Sequence, residues 1–156
     1  KKTVYKLNFK AFYKDIQVKH CGWNNQKIKR LYNKNITKYN SNDVHEDIIT
    51  DGLNIEELKG NVEHYSYHTI SEFIIKADRY STLFASNNAG KKSSSPVKAF
   101  LNGIYSFFRT YILKQGFRDG YVGLVIAFSH MVTNFYKYIK LYENNLELKN
   151  RYNDKK

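Results

Sequence analysis

His45-Glu46, His64, His68 and the pair Gly22-Trp23 are the places in this chain of 156 residues where residue type and spacing could do chemistry. Histidine exchanges a proton or binds metal near neutral pH, and a glutamate can take a proton as a general base. His45-Glu46 opens like a zinc-protease motif, but Ile49 stands where the second histidine must be, so two imidazoles cannot share a helical face. His64 and His68 would pair on a helix; the local alternation reads as strand, which separates them by about 13 Å. Gly90-Lys91-Lys92-Ser93 resembles the end of a phosphate loop, but it lacks the upstream glycine and a preceding strand and reads as a linker. Cys21 is the only cysteine, which excludes an intrachain disulfide and a cysteine zinc cluster and fits a reducing compartment. By spacing alone, Gly22-Trp23, His45-Glu46 and His64 suit structural roles as well as functional ones.

These residues must be held by elements of two kinds. Thr3 to Phe12 alternates apolar and polar residues as a strand does, Lys19 to Asn25 reads as a turn, and Lys27 to Asn33 as a second strand. Asn33-Lys34-Asn35 and Asn40-Ser41-Asn42-Asp43 are further turns, and Asp51-Gly52 predicts a hairpin between Asp47 to Thr50 and Leu53 to Leu58. Val62 to Tyr67 alternates again. At Thr69 the character changes, because Thr69-Ile70-Ser71-Glu72 is a capping box that predicts a helix to about Ala85. Ser95-Pro96 predicts a second helix, with Val97, Phe100, Leu101, Ile104, Phe107, Phe108, Tyr111 and Ile112 as a broad apolar stripe. Gly116 should end it, and Asp119 should cap a third helix from about Gly120 to Glu143, before a polar, fraying tail. The fold class expected is α+β: strands and loops over 1–68, helices over 69–143 and a tail over 144–156.

Hydrophobic residues make up 42% of the chain and aromatics 16%, which exclude a disordered polymer. The formal charge of +12 directs the surface toward anions such as acidic phospholipid, phosphorylated small molecules or nucleic acid. No signal-peptide pattern opens the sequence, and Tyr121 to Tyr136 is too short and too polar for a span of about 20 residues. The aromatic, apolar helices are flanked by Arg109, Lys114, Arg118, Lys137 and Lys140. They suit the plane of an anionic membrane surface, or packing on each other or on further protein.

Several blocks, in order, resemble bacterial family 2 glycosyltransferases of the lipopolysaccharide-core type. They are Lys19-His20-Cys21-Gly22-Trp23, Lys27-Ile28-Lys29-Arg30-Leu31-Tyr32, Val44-His45-Glu46, His64-Tyr65-Ser66-Tyr67, Asp78-Arg79-Tyr80-Ser81-Thr82 and Gly116-Phe117-Arg118-Asp119-Gly120. The resemblance runs from about Lys19 to Tyr142. It implies a GT-A-like mixed sheet, incomplete here, followed by three amphipathic helices. It also implies an inverting transfer of sugar from a nucleotide-sugar donor to a saccharide or lipid-linked acceptor, in cell-surface polysaccharide synthesis. Glu46 then matches the catalytic base, which removes the acceptor hydroxyl's proton as that oxygen attacks the anomeric carbon. Gly22 and Trp23 would line the donor sugar, His45 would orient the base or acceptor, and His64 would help hold a divalent cation, manganese or magnesium. The implied location is cytoplasmic, peripheral at the inner face of the cytoplasmic membrane.

No Asp-x-Asp strand end precedes Lys19 and no initiator methionine precedes Lys1, so the chain is expected to be part of a longer enzyme and inactive alone. The competing reading is a basic, aromatic-rich binding module without catalysis, for an anionic membrane surface or nucleic acid. Nucleic acid is the weaker partner: no aromatic-Gly-aromatic signature is present, and the aromatics from Phe100 to Tyr111 follow a helix face.

Overall fold

The computed structural model describes residues 2–24, 26–40 and 47–154. The expected α+β class is observed. The alternating N-terminal segment becomes β1 (Thr3–Tyr13), the central strand of a mixed four-stranded sheet. On one side it pairs antiparallel with β2 (Ile16–Gln17) and β3 (Gln26–Leu31); on the other it pairs parallel with β4 (Asn54–Tyr67).

The hairpin expected around Asp51-Gly52 does not form. The turn itself is present, with the Leu53 amide donating to the Thr50 carbonyl at 3.1 Å. Ile48, however, bridges Tyr39, and the chain beyond the turn runs along β1 from the Thr3 and Asn54 partners to Tyr13 and Tyr67. A short local hairpin lost to a ladder extending along the whole of β1, because each added pair of strand residues satisfies further backbone groups. The predicted second strand is observed as β3. Val62 to Tyr67 is the end of β4 rather than a strand of its own.

Helix starts follow their local signals. α1 (Ile70–Asn88) begins at Thr69, whose Oγ1 accepts from the Glu72 amide at 3.3 Å. Glu72 reaches back one residue further than expected, to the His68 amide at 2.8 Å. α2 (Pro96–Phe108) is capped by Ser95 Oγ, which accepts from the Lys98 amide at 3.1 Å. One π-helical turn (Arg109–Leu113) and a short 3-10 turn (Gly116–Asp119) then lead into α3 (Gly120–Asn153).

Two expectations fail here. Asp119 heads α3 without a side-chain cap, because its carboxylate is used elsewhere. The segment past Glu143 is helical to Asn153: Asn145 accepts from the Gly90 amide and donates to the Lys92 carbonyl, so the α1–α2 linker braces the polar end of α3.

The main core lies where the sheet end meets the helices. Ala11, Tyr13, Val18 and Cys21 pack there with Phe73 of α1 and Val122 and Ile126 of α3. The rest of β4 projects beyond this core and is exposed up to Ser66.

The apolar stripe of α2 faces outward. Val97 is 68% exposed and Phe100 and Leu101 are each 59% exposed, whereas Ala99 and Gly103 are buried. The helix turns its small residues inward because the backbones of α2 and α3 approach closely: a Cβ on Gly103 would lie 3.2 Å from the Met131 carbonyl oxygen. Periodicity located the stripe correctly but does not reveal which side the core occupies.

Candidate functional site

The turn Lys19 to Trp23 and the segment Gly116 to Asp119 form one structural unit. Asp119 accepts from the His20 amide at 2.8 Å and the Lys19 amide at 3.3 Å, and pairs with His20 Nδ1 at 2.7 Å. The Cys21 amide donates to the Lys114 carbonyl at 3.1 Å. On the helical side only glycine fits at position 123, because a Cβ there would overlap the Gly116 carbonyl. Burial first, and the Asp119 carboxylate second, push the Cys21 thiol up to about 12, so it is protonated and a poor nucleophile at neutral pH. His20 and Asp119 therefore position the turn.

That clamp presents Gly22 and Trp23. Gly22 has φ +80° and lies against Lys114, whose Nζ would be 2.5 Å from a Cβ at this position. The backbone angle favours glycine, whereas the Lys114 side chain can swing aside from a Cβ. Trp23 stacks on Tyr67 (centroids 5.6 Å apart) and Phe73 (6.3 Å), and its ring lies 6.2 Å from that of His130.

These rings form part of the wall of a cavity of about 1030 Å³ between the sheet end, α1, the π turn and α3. Among the described residues six cationic side chains line it, Arg30, Lys76, Arg79, Arg109, Lys114 and Lys137, and no carboxylate does. Lys76 sits 3.9 Å above the Tyr67 ring and donates to the Ser66 carbonyl, and Arg30 donates to the Tyr39 hydroxyl. Among the described residues none of the six forms an ion pair; the recorded pairs involve His20, Lys27, Lys29 and Lys140. Burial alone holds Lys137 below the usual lysine range.

His130, hydrogen-bonded through Nδ1 to Thr110 Oγ1 at 3.0 Å, registers this field. Burial, then Lys114 and Lys137, lower it from 6.5 to about 4, so it is neutral at physiological pH. The depressed value makes the folded state the weaker proton binder. Its contribution to stability is therefore complete above pH 6.5 and is lost as pH falls toward 4. By pH 4.5 the loss should be about 2.5 kcal/mol. Urea unfolding of the wild type and His130→Gln, each at pH 7 and pH 4.5, measures it. The variant should lose less stability over that interval, and equal losses would refute the assignment.

Among the residues expected to act, the structure brings Trp23 into the wall of this cavity and leaves Gly22 next to it, against Lys114. His64 stands on β4 opposite Ala11, edge-on to Phe9 at 5.8 Å, and His68 stacks on Tyr65. The two imidazoles have different ring partners. Among the described residues no three His, Cys, Asp or Glu side chains converge as a cation site, so His64 has no co-ligands there. His45 and Glu46 lie outside the described residues.

Arg79, Arg109, Lys114, Lys137 and His130 were not expected at the site. Their signal in the sequence was the presence of cations within otherwise apolar helices; each comes from a stretch whose neighbour in space is far away in sequence. Within the block Asp78 to Thr82 the roles divide. Asp78 and Thr82 receive Lys140 at 2.6 and 2.7 Å, tying α1 to α3, while Arg79 and Tyr80 line the cavity. Among the described residues no helix is long and apolar enough to cross a membrane. No family model matches the chain, and no solved structure matches it.

Proposed function

We propose that the chain is the acceptor-side, C-terminal part of an inverting family 2 glycosyltransferase that builds a cell-surface glycan. It would work against the anionic inner face of the cytoplasmic membrane. The observation that carries this reading is the contact between blocks on which the resemblance rests. The Lys19 to Trp23 turn and the Gly116 to Gly120 segment, about a hundred residues apart, meet through Asp119 and set Trp23 in the wall of a cavity. The Arg-Tyr of the Asp78 to Thr82 block lines the same cavity. Blocks that recur for a shared function are expected to meet in space.

On this reading Glu46 is the general base and Trp23 a platform beside the sugar. A divalent cation, manganese or magnesium, would stabilise the departing diphosphate of the nucleotide-sugar donor. The described residues alone do not supply its ligands. The outward stripe of α2, flanked by Lys98 and Arg118, supports the peripheral membrane location.

The test is genetic and chemical. Glu46→Gln, introduced into the natural gene in its own host, should truncate the surface glycan as a deletion does, with protein abundance unchanged. Intact glycan in that strain would sink the proposal.

A further inference from the structure

The electrostatics of the cavity are more specific than the chain's general basicity. Excess positive charge on a surface is ordinarily dispersed among carboxylates and water, which lowers its self-energy. Here six cations line one concave space, no acid among the described residues lines it, and the neighbouring described acids are occupied elsewhere: Asp78 with Lys140 and Asp119 with His20. Such an arrangement is electrostatically unfavourable when empty and is relieved by a multivalent anion.

The cations come from several elements: Arg30 from β3, Lys76 and Arg79 from α1, Arg109 from the π turn, Lys114 just after it and Lys137 from α3. Convergence from so many segments is not the product of one basic run. Between them lie neutral hydrogen-bonding side chains, among them Asn87, Ser106 and Asn134, and the stacked Trp23 wall.

We propose that this cavity is a binding site for a phosphate- or diphosphate-bearing ligand. Arg79, Arg109, Lys114 and Lys137 hold the phosphate oxygens, and the amide, hydroxyl and indole groups face the uncharged remainder. Guanidinium groups engage two phosphate oxygens at once and ammonium groups act as point charges, so the set suits a di- or trianion better than a carboxylate. The volume of about 1030 Å³ exceeds what inorganic phosphate alone would fill, which calls for an esterified ligand. The assignment stands on charge and shape and holds whether or not the chain is part of a transferase.

The molecule carries its own reporter, since Trp23 is the only tryptophan and lines the cavity. Its fluorescence in the full chain is followed during titration with inorganic pyrophosphate, glucose 1-phosphate and soluble dihexanoylphosphatidic acid, at constant ionic strength, with glucose as the neutral control. Pyrophosphate represents a free diphosphate, glucose 1-phosphate a free phosphoester and the third probe a lipid headgroup; the tighter class identifies the source. A saturable change with a phosphate probe and none with glucose is expected. Arg79→Gln combined with Arg109→Gln should weaken binding at least ~10-fold, the loss of about 1.4 kcal/mol or more of charge-assisted contact. Lys6→Gln combined with Lys10→Gln removes the same charge from the sheet and should leave the affinity unchanged. No saturable response to any phosphate probe overturns the proposal, and so does equal weakening by the two double variants.

Discussion

Asp119→Ala is expected to destabilise the protein by about 3 kcal/mol, measured by urea unfolding at neutral pH. The side chain is 4% exposed and accepts from two backbone amides and one imidazole, so its removal leaves the Lys19 and His20 amides without this acceptor, the His20 amide in a part-buried site. Orphaning such groups costs the full penalty of desolvation, which is why the effect should exceed that of an ordinary surface pair. Asp119→Asn keeps one acceptor oxygen and should lose about half as much. His20→Ala removes one of the same contacts, so combining it with Asp119→Ala should cost less than the sum by about 1 kcal/mol. If Asp119→Ala costs no more than Asp154→Ala, at an exposed position near the end of α3, the clamp does not hold the turn.

Two acidic substitutions on the outward face of α2 should produce the other large effect. Phe100 and Leu101 are each more than half exposed, whereas Ala99 and Gly103 are buried and Gly103 makes the close approach to α3. Phe100→Glu with Leu101→Glu should therefore leave the thermal midpoint close to that of the wild type. Removing two large apolar side chains from a lipid contact forfeits about 3 kcal/mol or more, before repulsion from acidic headgroups is added. Sedimentation with phosphatidylglycerol vesicles should show strong binding of the wild type and a loss of ~100-fold or more in the variant. Phosphatidylcholine vesicles should bind the wild type weakly. Absence of binding to anionic vesicles, or binding unaltered by the two glutamates, excludes membrane docking through this face. A wild-type dimer that the same variant dissociates in lipid-free sedimentation velocity would assign the face to a second copy instead.

The parts of the fold that were legible in the sequence are those decided within a few residues. Thr69 with Glu72, and Ser95 with Pro96, start helices because their oxygens accept from amides three residues ahead, whatever the distant chain does. β1 announced itself through alternation. The Asp51-Gly52 hairpin was misread because the turn is local but its pairing is not: Asn54 found Thr3, and no short window contains both. The end of α3 was misread for a similar reason, since the bonds of Asn145 to Gly90 and Lys92 support a stretch too polar to look helical. At the site, Gly22 and Trp23 were legible as a glycine turn beside a lone indole. The cations around them were not, since Arg79, Arg109 and Lys137 become neighbours only when three segments pack. His130 has no anomaly in its local sequence; its neutrality is a product of burial beside Lys114 and Lys137.

The clamp between His20 and Asp119 also sets the order in which the molecule can assemble. It joins residues 99 apart, so the chain must surrender the freedom of a very long loop before the first of these hydrogen bonds is made. The α2–α3 pair, linked only by the π and 3-10 turns, closes over a far shorter length and can form early. The turn carrying Gly22 and Trp23 is thus among the last parts to lock. Stopped-flow traces of Asp119→Asn should register its lost stability as faster unfolding, with refolding nearly as fast as in the wild type. The residues that shape the cavity would then govern how long the native state persists, rather than how quickly it is reached.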